Sequence, residues 1–319
     1  MALVLEMTSI TQISAFTGSA LSDYDILVTS AAYADGAIKD GVFRFDPDSG
    51  EYLGTFGYGA KIIDPRGIRL SPEADRIVVN NGDDRLLVFD ALTGQYVDEL
   101  ARLPGLNPGG CKFGGDGRYY VGSRSMRSIL VFDVTNRDAP QTFVPGTFVK
   151  FPRGLAAAPD GSMYFASGTD PSTGDGQNTV LRFLRGGRLD HSFRVVDPEL
   201  SPTDLEMSPT GSLLAASEFP FKAPNAVTTI REYDQGSGRL VRVFDAGLDE
   251  SGRRITTNPR GITIGPDGHL YSSGRDNIVR YDLAAGTFER VVVSSPGIHV
   301  QSVIFVPKIG RRPVPCTST

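Results

Sequence analysis

At 319 residues the chain is long enough to bury a large core, and a formal net charge of −5 argues against a protein whose main task is to grip nucleic acid, which needs a basic footprint. Its 37 Gly and 21 Pro punctuate short apolar segments, the pattern of many strands joined by turns. Cys111 and Cys316, the only cysteines, lie too far apart in the sequence to suggest a disulfide framework or metal-ligand spacing.

The N-terminal stretch from Met1 to Glu6 has no basic region and no apolar run of signal-peptide length, and nothing later approaches a membrane span. The expectation is a cytoplasmic protein. Residues 1–22 read as a lead-in to the first strand, 23–307 as one domain, and 308–319 as a surface tail.

Taken in order, the chain opens with three predicted strands at 25–30, 41–46 and 51–56, and then repeats a unit. First strands fall at 65–72, 108–115, 152–159, 202–209, 259–266 and 300–307. Second strands follow the first five of these at 76–81, 118–123, 162–167, 212–217 and 269–274. Third strands follow at 86–91, 129–134, 180–185, 229–234 and 278–283, and fourth strands at 95–100, 141–146, 189–196, 240–244 and 288–293. The clearest copy is residues 258–282, where Pro266-Asp267-Gly268 turns one apolar run into the next: Pro presets φ and Gly supplies a positive φ. The last unit is a first strand alone, and the N-terminal three strands lack a first. One repeat is therefore split between the two ends of the chain, the closure that leaves a ring with no open sheet edge. Four-stranded repeats of roughly 40–50 residues predict an all-β, six-bladed β-propeller of antiparallel blades, closed by residues 300–307.

With no Trp in the chain, the Trp-Asp signature of WD40 blades is absent. The Pro-Arg-Gly openings at 65–67, 152–154 and 259–261, with the Pro-Asp-Gly turn and Val279-Arg280-Tyr281-Asp282, resemble NHL-type and YVTN-type propeller repeats over about 280 residues. More loosely, the chain is similar to the six-bladed regucalcin/gluconolactonase and strictosidine-synthase-like proteins. That resemblance implies the fold and is nearly silent about activity.

Turns between first and second strands are uniformly short, whereas 30–40, 168–179 and 217–228 are longer and share the face where the first strands begin. On that face the repeat places Arg66, Arg153 and Arg260 in equivalent positions on blades two, four and six. Blades three, five and one place Gly109, Thr203 (followed by Asp204) and Gln301 there. Two readings of the arginines stand side by side. They form a pocket for a carboxylate, phosphate or sulfate, with Asp204 and Gln301 beside it, or they pair with main-chain carbonyls and with Asp64, Asp204 or Glu218.

The regucalcin-like resemblance implies a divalent metal held by Glu, Asn and Asp at the mouth. Here arginines occupy the matching first-strand position, leaving Asp204, Asn80, Asn81 and Glu218 as oxygen ligands, so no metal site and no cofactor are assigned. His299, before the first strand of the split blade, is the one histidine expected at the mouth, and Glu218 is the candidate carboxylate base. The expected function is a metal-independent lyase, cyclase or hydrolase acting on a small anionic molecule, with Glu218 or His299 moving protons. The alternatives are a scaffold that grips a protein partner through loops 30–40, 168–179 and 217–228, and, less favoured, an RNA-binding propeller of the NHL type.

Overall fold

The computed structural model describes residues 20–31, 39–136, 139–170, 173–218, 229–245, 247–256 and 258–309. Blade one contains β1 (Tyr24–Ser30), β2 (Gly41–Phe45) and β3 (Tyr52–Phe56). Blade two runs through β4 (Gly67–Leu70), β5 (Arg76–Asn81), β6 (Arg85–Asp90) and β7 (Tyr96–Arg102), and blade three through β8 (Pro108–Phe113), β9 (Tyr119–Ser123), β10 (Ser128–Phe132) and β11 (Gln141–Val144). Blade four has β12 (Pro152–Ala157), β13 (Met163–Thr169) and β14 (Gly176–Phe183); blade five has β15 (Pro202–Met207), β16 (Leu213–Ser217), β17 (Thr229–Tyr233) and β18 (Leu240–Val243). Blade six has β19 (Ile262–Ile264), β20 (Leu270–Ser273), β21 (Asn277–Asp282) and β22 (Thr287–Ser294), and β23 (Val300–Pro307) returns to blade one. There β23 pairs antiparallel with β1, from Tyr24 opposite Pro307 to Ser30 opposite Val300. The six antiparallel sheets make a six-bladed β-propeller, closed by the C-terminal strand as the repeat pattern requires.

The core explains why the middle strands read as unbroken apolar runs. It divides into six clusters, one between each pair of neighbouring blades. Successive side chains of a strand enter different clusters, because the strand presents them to opposite faces. Leu213 and Ala215 pack against blade four, whereas Leu214 and Ala216 pack against blade six. A one-residue slip would exchange these sets, so burial on both faces fixes the register.

Five turns at the ends of the first strands are built alike: the amides of Ser71, Gly114, Ala158, Ser208 and Gly265 donate to the carbonyls of Arg76, Arg118, Ser162, Ser212 and His269. The turns from third to fourth strands, on the same face but toward the rim, depend on an aspartate closing the third strand. Asp46, Asp90, Asp133, Asp234 and Asp282 each accept turn amides, as Asp90 does from Leu92 and Thr93 at 3.1 and 2.8 Å. Blade four has Leu184 in this position, which offers no side-chain acceptor, and its turn keeps only the main-chain bond of the Leu184 amide to the Arg188 carbonyl, the counterpart of the bonds from Asp46, Asp90 and Asp234 to Glu51, Gln95 and Arg239.

Blade four also departs from expectation beyond that turn. The fourth strand expected over 189–196 is reduced to one antiparallel bridge between Phe183 and Leu189, so this sheet has three strands. The expected long loop 168–179 is shorter than its sequence suggests. Thr169 pairs with Gly176, and side-chain bonds from Ser167 to Gln177 and from Thr169 to Asn178 carry the ladder outward. Most of loops 30–40 and 217–228, and Cys316 in the tail, lie outside the described residues. Among the described residues no helix is long and apolar enough to cross a membrane.

Candidate functional site

The inner strands approach closely around the channel, which gives the Gly of Pro-Arg-Gly a reason. A Cβ on Gly154 would stand 2.2 Å from the Asp204 Cα, and one on Gly261 would stand 2.8 Å from the Ser302 Cα. In blades five and one the equivalent positions carry Asp204 and Ser302 instead. Asp204 reaches Arg69 across the channel, and Ser302 accepts from the same Arg69 on the neighbouring blade.

Each crossover that delivers a first strand is held by the end of the second. The Oγ of Ser30, Ser167, Ser217 and Ser273, and the Oδ1 of Asn81, accept amides of His299, Lys150, Ser201, Gly261 and Ile63 respectively. In blade three Ser123 Oγ donates to the Leu106 carbonyl at 2.7 Å. These clamps fix the main chain from which the mouth side chains project.

One cavity at that mouth is lined by all five expected binding residues, Arg66, Arg153, Arg260, Asp204 and Gln301, together with Arg69, Arg124, Cys111 and Ser302. The sequence reading missed Arg69 and Arg124. Arg124 follows the clamp serine of blade three, as Glu218 follows the clamp serine of blade five, and its Nε would lie 3.2 Å from a Cβ on Gly109, so it fills the space that this glycine leaves. A polar residue directly after the clamp is the signal that could have located it.

The arginines carry internal partners. Arg66 pairs with Asp64 and donates to the Asn107 side chain. Arg153 Nη2 lies 2.7 Å from Glu218 Oε1, and Arg260 Nη2 lies 3.7 Å from Glu218 Oε2. Arg260 Nη1 also reaches Gln301 Oε1 at 3.4 Å, and Gln301 Nε2 donates to the His299 carbonyl. Below them Arg69 is 8% exposed and reaches Asp204, 4% exposed, at 3.5 Å, while its Nη1 donates to Ser302 Oγ at 3.0 Å. Further down, Lys112 Nζ sits 2.7 Å from both oxygens of Glu206. Burial pushes the Asp204 carboxyl up, while the Arg69 guanidinium and the Ile262 amide pull it down. Burial likewise pushes up the Cys111 thiol, against the lowering effect of Arg69.

Five guanidiniums therefore meet three carboxylates, Asp64, Asp204 and Glu218, and the mouth keeps an excess of positive charge. Two donors in it, the Nε atoms of Arg66 and Arg69, are buried with no hydrogen-bond partner. The cavity is about 30 Å³, room for about two waters or the oxygens of one anionic group.

Of the two proposed proton carriers, neither lines this cavity. Glu218 stands behind it, held between Arg153 and Arg260. His299 is 8% exposed, with its amide on Ser30 Oγ and its carbonyl receiving Ala31 and Gln301. The asparagines weighed as metal ligands hold structure: Asn80 bridges the Gly109 carbonyl and the Tyr119 hydroxyl, and Asn81 clamps Ile63. Among the described residues no group of three or more His, Cys, Asp or Glu is placed to hold a metal ion.

Fold and site together define a six-bladed propeller with an arginine-rich mouth. No protein-family model matches the chain, and no curated protein does. Solved propellers share the fold at low identity. A chain of a nidogen/laminin complex aligns with TM-score 0.66 and 13% identity over 89% of this chain and 98% of its own. A streptogramin B lyase aligns with TM-score 0.53 and 14% identity over 88% and 76%. A catalytically inactive variant of virginiamycin B lyase from Staphylococcus aureus, solved with quinupristin, aligns with TM-score 0.54 and 16% identity over 76% and 77%.

Proposed function

We propose that the channel mouth binds the anionic group of a small molecule. The observation that carries this reading is the excess of guanidinium over carboxylate around the cavity. A cavity of about 30 Å³ takes only the charged end of a ligand, since pockets that enclose whole ligands run to about 300 Å³ or more.

Binding is proposed ahead of catalysis. A lyase, cyclase or hydrolase working here would draw proton transfer from Glu218 or His299, and the first is engaged by two guanidiniums while the second does not reach the cavity wall. Lyase and complex-forming propellers both occur among the structural neighbours, at identities that carry the fold alone. The second reading is a protein-binding scaffold. It is favoured by the internal pairing of Arg66, Arg153 and Arg260, which leaves the mouth folded without any ligand.

Calorimetric titration of the protein with sulfate, phosphate and a series of carboxylates separates the two. Saturable binding that weakens in Arg153→Gln and Arg260→Gln supports the anion site. No heat from any anion at low ionic strength removes it in favour of the scaffold.

A further inference from the structure

Beside the mouth lies a second and larger cavity of about 250 Å³, lined by residues of blades three and four. Three contacts join it to the mouth. Arg124 lines both cavities. Asn107 lines the larger one and accepts from Arg66. Phe151 lines it too, and its ring lies 5.4 Å from the Arg124 guanidinium carbon and 4.9 Å from that of Arg153. The wall away from the mouth carries Arg127 and Lys150, which share one carboxylate: Arg127 Nη1 is 3.5 Å and Lys150 Nζ 3.1 Å from Asp175. Arg124 is shared with the mouth, and Arg127 and Lys150 face the two carboxylates Asp170 and Asp175, so the joined cavities together keep the mouth's excess of positive charge.

We propose that this cleft is the second half of the binding site, and that the ligand is a small molecule with two separated acidic groups, such as a dicarboxylate or a phosphorylated carboxylic acid. This rests on the anion-binding reading of the mouth and extends it. One acidic group occupies the guanidinium cavity, which has room for nothing more. The body crosses the Arg124 guanidinium and the Phe151 ring, and the second acidic group meets Arg127 and Lys150. Size makes the division: the mouth holds one group of oxygens and the cleft holds about eight times that volume. Joining two weak anion contacts through one molecule raises affinity without any new kind of contact, provided the spacing matches.

The test is calorimetric titration with linear α,ω-dicarboxylates of increasing length, each against the monocarboxylate of equal length. The expected result is a dicarboxylate of optimal length binding about tenfold tighter than its monocarboxylate partner. The double variant Arg127→Gln/Lys150→Gln should erase that advantage while leaving monocarboxylate affinity unchanged, and Arg153→Gln should weaken both classes. Both altered residues of the double variant are exposed, and an unchanged melting temperature verifies its fold. Mono- and dicarboxylates binding equally well, or a dicarboxylate advantage that survives the double variant, overturns the cleft and leaves the mouth standing. Absence of all anion binding overturns the mouth, and the cleft with it.

Discussion

Arg69 of blade two and Asp204 of blade five come from opposite sides of the six-membered ring and meet across the channel at 3.5 Å. Each lies three blades from the other, whichever way round the ring is followed. Their pair, with Lys112 and Glu206 beyond it, spans the channel at the mouth cavity and ties together first strands that share no sheet.

Removing one partner should therefore cost far more than removing both. Asp204→Ala leaves a buried guanidinium uncompensated and is expected to destabilise the protein by about 3–5 kcal/mol. The double change Arg69→Met/Asp204→Leu should recover most of that loss. Urea denaturation of the single and double variants measures both, and a double variant no better than the single would show the pair is not the cause.

Glu218 competes with any ligand for Arg153 and Arg260. Glu218→Gln keeps the shape and removes the charge, so anion affinity should rise by about two- to fivefold, corresponding to about 0.5–1 kcal/mol for a partly exposed pair. Weaker anion binding in this variant would mean that the carboxylate organises the mouth rather than occupies it.

Acid should loosen the blades at their outer turns. The Ser49 amide holds Asp46 below its ordinary carboxyl range, the Thr93 hydroxyl does the same for Asp90, and Asp133, Asp234 and Asp282 are lowered by Thr135, Ser237 and Ala285. A carboxyl lowered by folding contributes stability above its unfolded pKa and loses it as pH falls through the folded value. The melting temperature should hold down to the ordinary carboxyl value of 3.8 and drop below it, and Asp90→Asn should remove part of that drop. A melting temperature unchanged between pH 4 and pH 2 would contradict this.

The clamp at the end of β16 should be worth more than its single hydrogen bond suggests. Ser217→Ala strips the acceptor from the Ser201 amide, which lies 2.9 Å away, at an expected cost of about 1–2 kcal/mol. Amide hydrogen exchange should rise first in the crossover that leads through Ser201 into β15, where Thr203 and Asp204 sit. Protection lost evenly over the whole ring would argue against a local clamp.

The blade count, the closure and the three mouth arginines were legible because they repeat. A turn residue or an Arg recurring at the same place in several blades can be aligned without knowing what surrounds it. Arg69 and Arg124 were hidden because each occurs once. Arg69 matters through Asp204 three blades away, a contact that no local pattern encodes. The missing fourth strand of blade four was hidden for a different reason. Residues 189–196 have strand-like apolar spacing, but Leu184 stands where other blades have the turn aspartate, and a single absent acceptor is a weak signal against a run of Phe and Val.

The pairing of β23 with β1 also sets a schedule. A ribosome delivers β1 before the other blades and β23 after them, so the inner edge of blade one from Tyr24 to Ser30 stays unpaired until all the strands between have been made. Until Val300–Pro307 emerges, the nascent chain is an arc with a sticky end, and guarding that edge falls to whatever meets the polypeptide as it leaves the tunnel.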